Sequence, residues 1–456
     1  MAKASRFHLE VESQVLESLF GKINLLQSRE EKERLVLGAL SENYGKTTQE
    51  SFLQNEAVAE LKSNEGRRKF LDGFFSLGFI DELVQNPHTE DIIVNALNPI
   101  YVHDTFRGLV KTEQRFASQR ELEVFVKKLV VFAGKKNLRQ INNFELPGIA
   151  GRVNIVQSPF GPQVTITKIK ESPLSIIDLI NLHSLTYELA AQLWVYIEGM
   201  GSRPANTLIL GAPGSGKTTL MNALMSFIPD SERLVVIEDT LELNTKQEDS
   251  WSRLEVDDGL SLQDLVKNSL RMRPERIIVG EVRGSEAQDM MTAMNIGKYC
   301  MGTIHANSAR EAIIRLESEP MHIPEILVNL IDVFITVKKY QIKNSFFRVV
   351  DEVAETAGME QKVVLLSPVW QYNYEKMEFV ERQPSSVFRD KVCRTGGIAI
   401  KKFIEEVNVR AQILKVLRER EMHKIDEVSK FCRLFHRDKN EAIEKLGLTR
   451  EHFYKE

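Results

Sequence analysis

The chain has 456 residues, room for about three domains and for a sizeable core without disulfide or metal staples. Hydrophobic residues make up 43% and charged residues 27%, and 60 Lys and Arg against 64 Asp and Glu leave a net charge of only -4. That balance argues against a basic nucleic-acid coat and against an acidic disordered tail. Three widely spaced cysteines, Cys300, Cys393 and Cys432, fit a reducing compartment and offer no Cys-x-x-Cys zinc pair. The start lacks the apolar stretch of a signal peptide, and no run of about 18 apolar residues is present. Composition therefore predicts a cytoplasmic protein of several domains.

Residues 1–66 carry apolar side chains at helical spacing, Val11, Val15, Leu16 and Leu19, then Leu35, Val36, Leu37 and Leu40, then Phe52, Leu53, Val58 and Leu61. A small helical region is expected. Residues 67–172 read as an α+β module. Short strands over 91–95, 100–103 and 109–112 precede a helix over 119–133, and a strand pair follows over 152–156 and 164–169. Glu171 to Ser175 reads as the outgoing linker. In residues 173–395, apolar runs at 207–210, 233–237, 276–279, 301–304 and 332–337 alternate with helical patterns, the signature of a parallel sheet in an α/β domain. Residues 396–456 form a charged helical tail, with Ile404, Val407, Ile413, Val416 and Leu417 assigned to one face.

The most specific chemistry lies at Gly211-Ala212-Pro213-Gly214-Ser215-Gly216-Lys217-Thr218. It fits the phosphate-loop pattern between an apolar strand and a helical stretch opened by Thr219, the context such a loop requires. Glycines let backbone N–H groups curl around phosphate oxygens, and the helix N-terminus adds partial positive charge. Lys217 would reach the β and γ phosphates and Thr218 would ligate Mg²⁺. Guanine readers carry Asn/Thr-Lys-x-Asp, whereas Thr245-Lys246-Gln247-Glu248 ends in Glu and comes too soon, so ATP is the expected nucleotide.

Hydrolysis also needs carboxylates at neighbouring strand ends. The run 233–237 ends in Glu238-Asp239-Thr240-Leu241-Glu242, and 276–279 ends in Gly280-Glu281. Glu281 suits a water-activating base. Gly280 stands where a metal-binding aspartate is usual, so Glu238 or Asp239 would supply that contact from the next strand. His305 closes the run 301–304; from the residues alone it reads as a strand-end histidine.

Taken together, GAPGSGKTT, IEDTLEL, LRMRPERIIVGEVRGSEAQDMMTAMNIG and MGTIHANSAREAIIRLE resemble the Walker A, Asp box, Walker B and His box of the type II/type IV secretion NTPase superfamily. The resemblance reaches back to about Phe74 and covers two-thirds to three-quarters of the chain. It implies a RecA-like P-loop ATPase domain, preceded by a PAS-like α+β N-terminal domain and the small helical region. It implies an ATP- and Mg²⁺-dependent homo-oligomer, a hexamer, working at the inner face of the membrane with a polytopic platform protein. Residue by residue, Gly211 to Thr219 match the nucleotide loop, Glu238, Asp239 and Glu242 the Asp box, Glu281 the catalytic glutamate and His305 the His-box histidine. Arg152, in Gly151-Arg152-Val153, matches an arginine that reaches a neighbouring subunit's phosphates; Arg233 and Arg283 are weaker candidates.

The chain departs from the pattern in two places. Thr167 stands where relatives carry Arg, with Lys168 or Lys170 as substitutes, and Gly297-Lys298-Tyr299-Cys300 replaces a Gly-His-x-Gly run. The His box resembles archaeal pilus and archaellum motors, so filament assembly is the expected function, with secretion or conjugation as alternative. A nucleic-acid translocase and a non-catalytic nucleotide-binding scaffold are the readings from other classes; the charge balance weighs against the first, and Glu281 against the second.

Overall fold

The computed structural model describes residues 2–44, 63–105, 107–149, 151–168, 173–239, 242–243, 250–256, 259–342 and 345–453. The helical pattern expected around Phe52 to Leu61, the Thr245 to Glu248 tetrapeptide and Lys170 lie outside them. The four sequence segments are grouped into two compact units, Met1–Glu171 and Ser172–Glu456.

In the first unit, helices α1 (Ala2–Leu19), α2 (Arg29–Tyr44) and α3 (Asn64–Phe75) bring Val11, Val15, Leu16, Leu19, Val36, Leu40, Phe70 and Phe74 into one apolar cluster. Val124 and Val131 complete that cluster from helix α5 (Gln119–Phe132), the helix that also backs the sheet. The N-terminal helices thus share their core with the α+β module. Ser118 caps α5 through the Glu121 N–H, and its opposite stripe, Leu122, Phe125, Val126, Leu129 and Val130, packs on the sheet. Helix α4 (Phe79–Gln85) leads into β1 (Thr89–Asn95). The sheet is antiparallel, in the order β3-β2-β1-β6-β5-β4, with β2 (Tyr101–Asp104), β3 (Gly108–Lys111), β4 (Ile141–Leu146), β5 (Gly151–Ser158) and β6 (Gly161–Lys168). Strand β4 carries no clear sequence signal, because Asn142 and Asn143 break the β-branched pattern expected of a strand.

The second unit begins with α6 (Ile176–Asn181), which Ser175 opens through a capping box with Asp178. Ser175 is therefore a helix cap and not a linker residue. After α7 (Tyr187–Glu198) come β7 (Thr207–Leu210), α8 (Lys217–Met225), β8 (Leu234–Glu238), β9 (Ser252–Glu255), α9 (Leu262–Ser269), β10 (Arg276–Val279), α10 (Glu286–Asn295), β11 (Tyr299–Ile304), α11 (Ala309–Glu317) and α12 (Glu325–Val328). Three long strands and a short one follow: β12 (Val333–Ile342), β13 (Ser345–Glu360), β14 (Val363–Asn373) and β15 (Glu378–Glu381).

All nine strands join one sheet, in the order β15-β14-β13-β12-β7-β11-β10-β8-β9. Strands β12, β7, β11, β10, β8 and β9 run parallel, with apolar clusters on both faces, as their unbroken apolar runs require. Strands β13 to β15 are antiparallel additions. Turn chemistry does not announce them, since the β13–β14 turn uses Gln361 and Lys362 at φ 46° and 69° instead of the Asn-Gly expected of a two-residue hairpin.

Helices α13 (Val387–Gly396), α14 (Ile400–Glu419), α15 (Ile425–Arg437) and α16 (Lys439–Lys445) end the chain. They pack into the same core as α7 rather than forming a solvated tail. The stripe expected on α14 is displaced at its start. Ile404 is half exposed, and Phe403, Glu406, Arg410, Ile413, Leu414 and Leu417 face inward. The shift places two charged residues in the core. Arg410 donates to Glu198 of α7 and to Glu406, while His436 Nδ1 lies 2.9 Å from Glu198 Oε1 and Lys439 reaches Glu406. Burial would raise the Glu198 carboxyl, but Arg410 and His436 outweigh it and hold the group down at about 2.

Candidate functional site

The sheet places its candidate chemistry at the C-terminal ends of β7, β11, β10 and β8, the edge where open α/β sheets bind ligands. Gly211, with φ 154°, leaves β7; a Cβ there would lie 2.4 Å from both Ser215 Oγ and Val337 O. Only glycine lets the loop pass between its own serine and strand β12. Ala212, Pro213 and Gly214 are exposed, Ser215 is buried, and Gly216 in the left-handed region leads into α8. Ser215 Oγ has no hydrogen-bond partner among the described residues. Lys217, Thr218 and Thr219 form the first turn of α8, so the N–H groups of that turn have no intrahelical acceptor.

Lys217 is buried and donates to the carbonyls of Gly211 at 2.9 Å and Ala212 at 3.2 Å. Its ammonium also lies 3.1 Å from His305 Nδ1. Burial lowers the Lys217 pKa, opposed by the Glu281 and Glu242 carboxylates. On the other side of the ring, His305 Nε2 stands 2.9 Å from Glu281 Oε1. His305 Nδ1 also lies 3.2 Å from Gly211 O, and Glu281 Oε1 has no hydrogen-bond partner among the described residues. Lys217, His305 and Glu281 are thus brought together from α8, β11 and β10, although 64 residues separate Lys217 from Glu281 in the sequence.

Strand β8 supplies the second carboxylate. Glu238 is buried, and its Oε1 accepts the N–H groups of Glu242 at 2.9 Å and Leu243 at 3.1 Å. Its Oε2 has no hydrogen-bond partner among the described residues, and the nearest cation, Arg253 Nε, is 3.8 Å away. Burial raises this carboxyl to about 7. A Cβ on Gly280 would lie 2.9 Å from Glu238 Cγ. The space that an aspartate at 280 would fill is therefore already taken by Glu238. Asp239 is paired with Arg283, which also stands 3.5 Å from Glu281 Oε1. Arg233 is held by Met272 O at 2.9 Å and, through its own N–H, by Glu275.

Arg152 lies on β5 of the first unit, between Glu145 of β4 and Thr167 of β6. Thr167 donates to Asp91 at 2.6 Å, and Lys168 donates to Asn86 O at 2.7 Å.

One residue outside every sequence motif touches the loop. Arg348 of β13 donates from Nε to Gly214 O at 3.0 Å. No motif marks it, because a hairpin and not a strand-to-helix turn carries it there.

Known proteins resemble the chain along much of its length. The family described as Type II/IV secretion system protein matches residues 143–445. An uncharacterized protein of Methanocaldococcus jannaschii is 30% identical over 381 residues, covering 78% of this chain and 68% of its own. The conjugal transfer protein TrbB of Rhizobium radiobacter is 32% identical over 213 residues, 44% of this chain and 64% of its own. Among solved structures, the ATPase DotB of Legionella pneumophila is similar at 18% identity and TM-score 0.46, over 84% of this chain and 95% of that one.

Proposed function

The chain belongs to the Type II/IV secretion system protein family, and from that premise we propose that it is an ATP-hydrolysing motor whose RecA-like second unit and PAS-like first-unit module work in a homo-oligomeric ring, a hexamer. The observation that carries the reading is the Lys217–His305–Glu281 chain laid across the phosphate loop.

An incoming triphosphate offers Lys217 anionic oxygens in place of the neutral carbonyls of Gly211 and Ala212, and that exchange restores its full charge. Glu281 aligns a water and takes its proton as the water oxygen bonds the γ phosphorus. The bond from that phosphorus to the β–γ bridging oxygen breaks, leaving ADP and phosphate. His305 touches both Lys217 and Glu281, so it can report the presence of the γ phosphate to the base.

The site fits a magnesium ion. Glu238 Oε2 is a buried acceptor without a partner, and the Thr218 hydroxyl stands at the matching loop position. Glu238 and Thr218 would hold the ion, with Asp239 in its outer shell. Bound there, the ion would supply neutralisation of the charge that develops on the phosphates. Arg152 serves as the contact in trans to a neighbouring subunit.

We assign the work done to assembly of a pilus-like or archaellum-like filament through a polytopic membrane platform, the style of the His box being the support. No helix among the described residues is long and apolar enough to cross a membrane, so attachment at the inner face would come from that partner. The TrbB relative supports conjugation or secretion as the second reading.

Turnover of Mg-ATP by the purified full chain is the test. Glu281→Gln should keep ATP binding and lose at least about 100-fold in rate; an unchanged rate would remove Glu281 as the base. In cells, deletion of the chain should abolish surface filaments and spare DNA transfer. The opposite outcome would establish the conjugation reading.

A further inference from the structure

The catalytic carboxylates and His305 lie to one side of the phosphate loop, on β10, β8 and β11, and mark the γ-phosphate end of the site. The opposite flank is β12, whose Val337 carbonyl presses against Gly211, and then β13. A nucleotide laid with its γ phosphate at Glu281 therefore runs its base toward the β12–β13 hairpin.

That hairpin presents two different faces. On one, Tyr340, Phe347, Tyr372, Tyr374 and Phe379 pack together with ring centroids 4.9–5.9 Å apart. Phe346 has no place in this cluster. It points to the other face, shared with Arg348 and its cross-strand partner Lys339, and is 56% exposed. Arg348 grips Gly214 O and packs its Cδ near Gly216. Among the described residues it has no carboxylate partner, in contrast to Arg283 and Arg253. Phe346 is two residues along the strand from Arg348, about 7 Å, comparable to the span from an α phosphate to a purine ring.

We propose that Phe346 and Arg348 form the base-side wall of the nucleotide site, with Phe346 stacking on the purine and Arg348 holding the loop and the nearest phosphate. Lys339 Nζ now lies 4.1 Å over the Phe346 ring. An exposed cation–π contact is weak and yields to a stacked base. This inference rests on the nucleotide-binding reading above, but it makes a separate demand: the base itself must contribute affinity through one named ring.

Calorimetric titration of the full chain with ATP, ADP and inorganic tripolyphosphate separates the two. Phe346→Ala should weaken ATP and ADP by roughly 5- to 150-fold, the worth of one base–aromatic stack, and leave tripolyphosphate within about twofold. Phe346→Trp should restore ATP binding. Arg348→Ala should weaken ATP and tripolyphosphate alike. Unchanged ATP affinity in Phe346→Ala, or an equal loss for ATP and tripolyphosphate, would overturn the wall. So would a wild-type chain that binds ATP no more tightly than tripolyphosphate, or a Phe346→Ala chain that loses only ring assembly. A wild type that binds neither ligand would instead remove the phosphate-loop reading beneath it.

Discussion

Placing an aspartate at position 280 should disable the site, even though a Walker B strand usually carries one there. The new Cβ would stand 2.9 Å from Glu238 Cγ and 3.5 Å from Glu238 Oε1. Glu238 cannot swing aside freely, because the Glu242 and Leu243 N–H groups hold its Oε1. Overpacking of this kind costs about 1–3 kcal/mol. The added carboxylate also meets one that burial has already raised to about 7. Two charges about 4 Å apart repel by about 4 kcal/mol at an effective dielectric of 20, part of which protonation relieves. Gly280→Asp should therefore lose about 2–5 kcal/mol in chemical denaturation and most of its ATP turnover. Gly280→Ala isolates the steric part at about 1–3 kcal/mol. Gly280→Asp combined with Glu238→Ala moves the carboxylate from β8 to β10 and should recover stability, with a coupling of at least about 2 kcal/mol in the double-mutant cycle. A Gly280→Asp chain within about 0.5 kcal/mol of wild type and fully active would refute the argument that Glu238 occupies that space.

Arg410→Met should destabilise the second unit by about 3–5 kcal/mol, since Glu198 and Glu406 would remain buried without their shared cation; a loss under about 1 kcal/mol in urea unfolding would show that the network does not hold α14. The hydrogen bond to Glu198 raises His436 above its usual 6.5, against a smaller opposing effect of burial. Its stabilising contribution is thus complete below about 6.5 and fades as pH climbs through the raised folded value. Melting temperature should fall as pH rises above about 6.5, and His436→Gln should flatten that slope; an unchanged slope would assign it elsewhere. Glu198 behaves in the opposite sense, its contribution being present above 4.5 and lost only as pH drops toward about 2. Arg152→Ala should slow assembled rings and leave the monomer rate alone, so a ring with the wild-type rate would dismiss the contact in trans.

The phosphate loop is legible in the amino-acid sequence because its chemistry is local. Three glycines, a lysine and a threonine within eight residues dictate a strand-to-helix turn lined with N–H groups. The acids at 238 and 281 are legible for a similar reason, each being the first acidic residue after an apolar strand. What fills the gap at Gly280 is not. It depends on β8 lying beside β10 in a register that pairs Ile237 with Val279, which puts Glu238 next to Gly280. Spacing alone marks Asp239 as a metal contact, and its engagement with Arg283 emerges only when the two strand ends meet.

Charge patterning misleads at the C-terminal helices. Arg410, Glu406 and Lys439 look like a solvated face, yet they close around Glu198 from 212 positions earlier in the chain. Arg348 reaches the loop across 134 positions, carried there by the β12–β13 pairing. The backbone geometry of the phosphate loop, the buried parallel strands and the acids at their ends all follow from the order of residues, because a few neighbours along the chain suffice to specify each. Three-dimensional packing settles the rest: which charges are buried, which carboxylate takes the place of a missing one, and which arginine grips the loop. Those depend on partners brought together by sheet register, and a side chain's environment is set by neighbours in space.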